Sequence, residues 1–211
     1  MEKEGLTQAL SQWIEQTQRR PIAGWEQLPD LGLYMDQVIT YLERYNDGSG
    51  GKPMTPSMIN NYVKAQIIPR PDGKKYNREH LASLMILSGI KQIVPLATLS
   101  ALFGEDEKKW WEQSEEGAPP LREWYTRFCD TQREAMRQVM AHLSAELTAQ
   151  SAAEGEETPA DSALRLTALE LIVEANARRI AAQKILELLS ERKQELDGEE
   201  HGGGGRAEKK G

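Results

Sequence analysis

The sequence predicts a mainly α fold: a winged helix-turn-helix domain with a short β-hairpin wing, followed by a C-terminal helical hairpin. Three observations predict it. A capped short helix at Thr55–Gln66 runs into a tight basic hairpin at Ile67–Tyr76, and a second capped helix begins at Asn77. Residues 52–80 carry six basic side chains against Asp72 and Glu79, a local surplus of +4 in a chain whose net charge is -7. Leu121–Gln150 and Ala163–Leu196 each keep apolar residues at helical spacing over a long stretch.

The elements follow in order. Gly5–Arg20 has Leu6, Leu10, Trp13, Ile14 and Thr17 at helical spacing, and Pro21 stops the run. Residues 21–32 are a connection containing Pro and Gly. Tyr34–Asn46 forms a second helix with Met35, Val38, Ile39 and Leu42 on one face. Asp47–Lys52 reads as a flexible glycine loop. Thr55-Pro56 is a strong helix start, a hydroxyl cap followed by proline at the first helical position. Ile67-Ile68-Pro69 supplies one arm of the hairpin, Pro71-Asp72-Gly73 its turn and Lys74-Lys75-Tyr76 the return. Asn77 caps a helix over Arg78–Ser88 that Gly89 ends, and Pro95–Phe103 forms another short helix.

This organisation divides the chain into a winged-helix domain over 1–103, an acidic linker over 104–120, a helical dimerisation region over 121–196 and a disordered tail over 197–211. The apolar positions of Ala163–Leu196 spread over more than one face, which asks for partners on two sides and suggests a homodimer.

Composition excludes several classes. No apolar run approaches the roughly 18 residues of a membrane span, and the N-terminus lacks the apolar core of a signal peptide. A cytoplasmic protein without membrane association is expected. The single cysteine, Cys129, allows no internal disulfide. It sits among apolar helix positions, as a buried and inert thiol would. His80, His142 and His201 are scattered, without a second ligand type at metal spacing. No phosphate-binding, dinucleotide or metalloprotease motif occurs. The expectation is a protein with no catalytic residues, no metal site and no cofactor. Trp110, Trp111, Trp124 and Tyr125 could line an effector pocket, although aromatics at helical spacing are more often core; no effector follows from the residues.

What remains is a candidate interface with double-stranded DNA. Met58, Ile59, Tyr62 and Val63 make the apolar stripe of the 55–66 helix. They leave Ser57, Asn60, Asn61 and Lys64 for the other face. Amides bond adenine edges bidentately, and lysine suits guanine or phosphate. Ser57, Asn60 and Asn61 would face bases in the major groove. Lys64, Arg70, Lys74 and Lys75 would hold phosphates, with Tyr76 closing the wing.

Three segments carry a resemblance: L-Y-M-D-Q-V at Leu33–Val38, M-I-N-N-Y-V-K at Met58–Lys64, and K-K-Y-N-R-E-H-L at Lys74–Leu81. Over roughly residues 5–103 the chain resembles a bacterial domain of unknown function, number 1836, which in turn resembles the MerR-type winged-helix DNA-binding domain. The resemblance implies a recognition helix with Tyr62 as the second tyrosine of a pair, packed near or bonded to the DNA phosphates. It implies a helix exit at Ile67-Ile68-Pro69, a wing ending at Lys75-Tyr76, and a following helix with Asn77 as cap and Leu81 as first core residue. It also implies dimerisation through a long helix after this domain. Asn60 stands where those proteins commonly carry an arginine, Asn61 where they carry the first tyrosine, and the loop Asp47–Met54 replaces a tight turn.

The expected function is a cytoplasmic, sequence-specific DNA-binding transcriptional regulator. The alternative is a helical protein-protein interaction module on a winged-helix shell that does not bind DNA; the acidic C-terminal half and the missing arginine favour it.

Overall fold

The computed structural model describes residues 3–45, 52–95, 98, 102, 121–152 and 160–202. The described residues contain six helices: α1 (Lys3–Gln18), α2 (Met35–Arg44), α3 (Pro56–Lys64), α4 (Arg78–Ile90), α5 (Leu121–Ala152) and α6 (Ala160–Gly202). A single 3-10 turn at Trp25–Gln27 lies between α1 and α2. No described helix is long and apolar enough to cross a membrane. The expected glycine loop, the 95–103 helix, the acidic linker and Trp110-Trp111 fall wholly or mostly outside the described residues.

The caps form where side-chain chemistry demands them. Thr55 Oγ1 accepts from the Met58 amide at 3.3 Å, with Pro56 in the first helical position. Asn77 Oδ1 accepts from the His80 amide at 3.1 Å, and His80 Nδ1 accepts from the Asn77 amide at 3.2 Å. Each of these satisfies a backbone donor that the helix itself cannot. α3 ends at Lys64 through a left-handed residue: Gln66 has φ +57°. This lets the Ile67 amide donate back to Tyr62 O at 2.9 Å and the Gln66 amide to Val63 O at 3.2 Å. That reciprocal pair closes the last turn and drives Ile67 and Ile68 into the core.

The predicted β-hairpin wing does not form. No β-strand occurs among the described residues. Two isolated bridges stand in its place, Asp72 with Lys75 and Leu33 with Tyr76. The reason lies in the outgoing arm. Pro69 and Pro71 have no amide hydrogen to give to a ladder, and Ile67 and Ile68 are fully committed to the core. The turn chemistry itself is as read. Gly73 and Lys74 have φ of +50° and +75°, and the Lys75 amide donates to Asp72 O at 2.8 Å, the pattern of a type I′ turn. The returning Tyr76 pairs instead with Leu33, exchanging two backbone hydrogen bonds of 2.8 Å each. The fold is therefore mainly α without the wing.

The main core joins α2, α3, α4 and the first half of α5. Val38, Ile59, Leu81, Leu84, Leu87 and Tyr125 are buried in it together. α4 is buried almost all round from His80 to Leu87, which explains its run of apolar residues. Gly89 does not end α4; the helix runs on to Ile90. A Cβ at Gly89 would meet Phe128 Cζ at 3.0 Å, so the glycine admits the α5 ring.

α5 starts at Leu121 and packs its first turns against the N-terminal half. Tyr125 Oη donates to Ala23 O at 2.6 Å, Arg122 pairs with Glu26 at 2.6 Å, and Trp25 stacks edge-on against Tyr125 with centroids 6.1 Å apart. Its first turns belong to the core of the N-terminal half. Its later turns carry Met140, Leu143 and Leu147 into a second cluster with Ile14 of α1, against which Leu164 and Leu171 of α6 pack. Leu186, further along α6, belongs to the main core. α6 continues to Gly202, so residues 197–202, expected in a disordered tail, are helical.

Candidate nucleic-acid interface

α3 separates its residues cleanly. Ile59 and Tyr62 are buried, while Ser57, Asn60, Asn61 and Lys64 are exposed. Those four positions are spaced i, i+3, i+4 and i+7, so they share one face. The nine-residue helix is about 13 Å long, comparable with the roughly 12 Å width of a B-DNA major groove.

The second exposed group is the Arg70–Lys75 turn. Arg70, Lys74 and Lys75 are all exposed. Lys75 is held more tightly than a tip residue needs to be. Its stem lies against Gly32, where an added Cβ would come within 2.9 Å of Lys75 Cβ, and its Nζ sits 5.8 Å from the centroid of the Tyr34 ring. Asp30, one step further along the same segment, pairs with Arg78 at 3.5 Å. The 30–34 segment thus braces the turn from below. Lys64, Arg70 and Lys74 make no ion pair among the described residues, so no acidic side chain there neutralises them.

The structure brings Ser57, Asn60, Asn61 and Lys64 together on α3, and Arg70, Lys74 and Lys75 around one turn. Tyr62 and Tyr76 stand apart from both groups. They are 5% and 4% exposed, and burial raises the pKa of each phenol. Rings so enclosed present little surface to a phosphate. Tyr62 anchors α3 to the core, and Tyr76 anchors the return of the turn while its ring meets His80 edge-on at 5.4 Å. The role expected of them as contacts is replaced by a positioning role.

His80 ties the two parts. Burial lowers its pKa; hydrogen bonds to the backbone of Pro69 and Arg70, and the nearby Glu79 charge, oppose that shift. The imidazole therefore lies between the α4 cap and the approach to the basic turn. In the sequence His80 is only one of three scattered histidines. Its position three residues after Asn77 was the available signal, since a side chain there can return a bond to the cap. Gly32 and Tyr34, which brace Lys75, had no local signal at all. Cys129 is buried as expected, and burial is the main cause of its raised thiol pKa. Tyr125 is core, as its helical spacing favours; Trp124 lines a cleft.

No curated protein and no solved structure matches this chain. A family model does, across the braced turn, α2 to α4 and the buried start of α5. With residues 23–128 matched, half of its length, the chain belongs to the family described as domain of unknown function DUF1836.

Proposed function

We propose that this chain is a cytoplasmic DNA-binding transcriptional regulator that places the exposed face of α3 in the major groove and the Arg70–Lys75 turn on the phosphates. The observation that carries the reading is the composition of that exposed α3 face. Three of its four residues are Ser57, Asn60 and Asn61, short polar groups suited to base edges, and the fourth is Lys64, which makes no ion pair among the described residues. A helix face selected only for solubility would more commonly carry Glu/Lys pairs. The resemblance of the DUF1836 family to the MerR-type winged-helix DNA-binding domain supports the same reading.

The reading includes a homodimer through the C-terminal helices. Leu166, Leu169, Val173 and Ile180 of α6 are each more than half exposed and lie along one strip of the helix. A second copy of α6 would cover that strip and set two α3 helices on two half-sites.

Titration of fluorescent random duplex DNA, followed by anisotropy at low and moderate salt, tests the proposal. Affinity should fall steeply with salt and drop strongly in the double variant Lys74→Glu/Lys75→Glu. Each lost phosphate contact should reduce the salt slope by about one unit. Unaltered affinity in that variant, with its fold intact, would overturn the reading. The exposed strip on α6 favours one other reading, an interaction module that binds protein rather than DNA. Absence of any duplex binding at low salt would support it.

A further inference from the structure

A cleft of about 370 Å³ lies between the end of α4 and the middle of α5. Ile86 and Ile90 form one wall, and Trp124, Phe128 and Ala135 the other. Its size falls in the range of small-molecule sites, roughly 300–1,000 Å³. Its surface is almost wholly apolar, and few polar side chains border it, chiefly Arg127 and Gln132.

Arg127 sets the chemistry. Three other arginines of α5 have carboxylate partners: Arg122 with Glu26, Arg133 with Asp130 and Arg137 with Glu134. Arg127 makes no ion pair among the described residues. One helix therefore satisfies its guanidinium groups by acids except at the edge of an apolar cleft. A guanidinium there can take a carboxylate through two parallel hydrogen bonds. The cleft beside it can take a hydrocarbon body, whose burial against Ile86, Ile90 and Phe128 is favourable.

We propose that this cleft binds a small apolar carboxylate, with the chain or ring lying against Ile86, Ile90 and Phe128 and the anion on Arg127. The proposal is independent of DNA binding, because the site and its test involve only the protein and the ligand.

Isothermal titration of the full chain with octanoate, and separately with 1-octanol, tests it. Octanoate should bind, and the alcohol about tenfold more weakly or worse. Arg127→Gln, a change at an exposed position, should weaken octanoate about tenfold and remove its advantage over the alcohol. Ala135→Trp, which fills the cleft, should abolish both. A melting temperature within a few degrees of the parent's shows that each variant is folded. Failure of octanoate to bind the parent chain would overturn the proposal. So would octanoate binding that survives both substitutions, which would place the acid elsewhere, for example on the apolar strip of α6.

Discussion

Leu33 and Tyr76 exchange both backbone hydrogen bonds at 2.8 Å, and this single pairing holds the basic turn where a hairpin arm was expected to. The turn is thus attached to the segment that precedes α2 rather than to the end of α3. Around the pair, Asp30 meets Arg78, Gly32 meets Lys75 and Tyr34 underlies the Lys75 ammonium. The position of Lys75 depends on four contacts with residues distant in sequence.

Gly32 should be intolerant of a side chain. Its added Cβ would lie 2.9 Å from Lys75 Cβ, an atom fixed to the backbone rather than the free end of a chain. Gly32→Ala should cost about 1–3 kcal/mol through overpacking, measured by urea denaturation. A variant as stable as the parent would show that the brace is not needed.

Lys74 adopts φ +75°, a conformation that disfavours every residue with a Cβ. Lys74→Gly should therefore stabilise the fold by up to about 1 kcal/mol. In the same variant, the salt slope of DNA binding should fall by about one unit. The two readouts move in opposite directions only if the lysine is retained for its charge.

Tyr125→Phe should be destabilised although it removes one oxygen. The hydroxyl donates to Ala23 O at 2.6 Å inside the core, and its loss leaves that carbonyl with only the Cys129 thiol at 3.7 Å. A cost of about 1–3 kcal/mol is expected. Denaturant midpoints of the two proteins, compared at equal slope, give the value.

His80 should make stability fall in mild acid. Burial lowers its native pKa below the ordinary value of 6.5, so the unfolded chain takes up the proton first as pH falls. The stability contributed by the neutral ring is fully present above pH 6.5. It is lost as pH drops from there towards the lowered native pKa. Urea midpoints at pH 7.5 and 5.5 check this; equal or greater stability at 5.5 would contradict it. Replacing His80 with Leu should remove most of the difference.

The α6 strip should be an interface. Val173 and Ile180 are 58% and 53% exposed. Val173→Glu/Ile180→Glu should convert a dimer to a monomer in sedimentation velocity while leaving the melting temperature of the monomer fold nearly unchanged. A parent chain that already sediments as a monomer at high concentration would rule out the strip as a self-association surface.

Most helix starts are legible in the sequence, because their signals are local. Thr55-Pro56 and Asn77 carry their own capping chemistry, and the polar face of α3 follows from spacing alone. A turn at Pro71-Asp72-Gly73 was legible for the same reason, but not that it would be of type I′ and take in Lys74, which was expected in a return strand. Tertiary structure decided the rest. Whether Tyr62 and Tyr76 face solvent, whether Gly89 stops a helix or admits Phe128, and whether Tyr76 pairs with Ile67 or with Leu33 all depend on partners far along the chain. A backbone N–H donates to whichever carbonyl the packed core brings to it. With Pro69 and Pro71 unable to donate and Ile67 and Ile68 drawn into the core, the carbonyl brought to Tyr76 was that of Leu33.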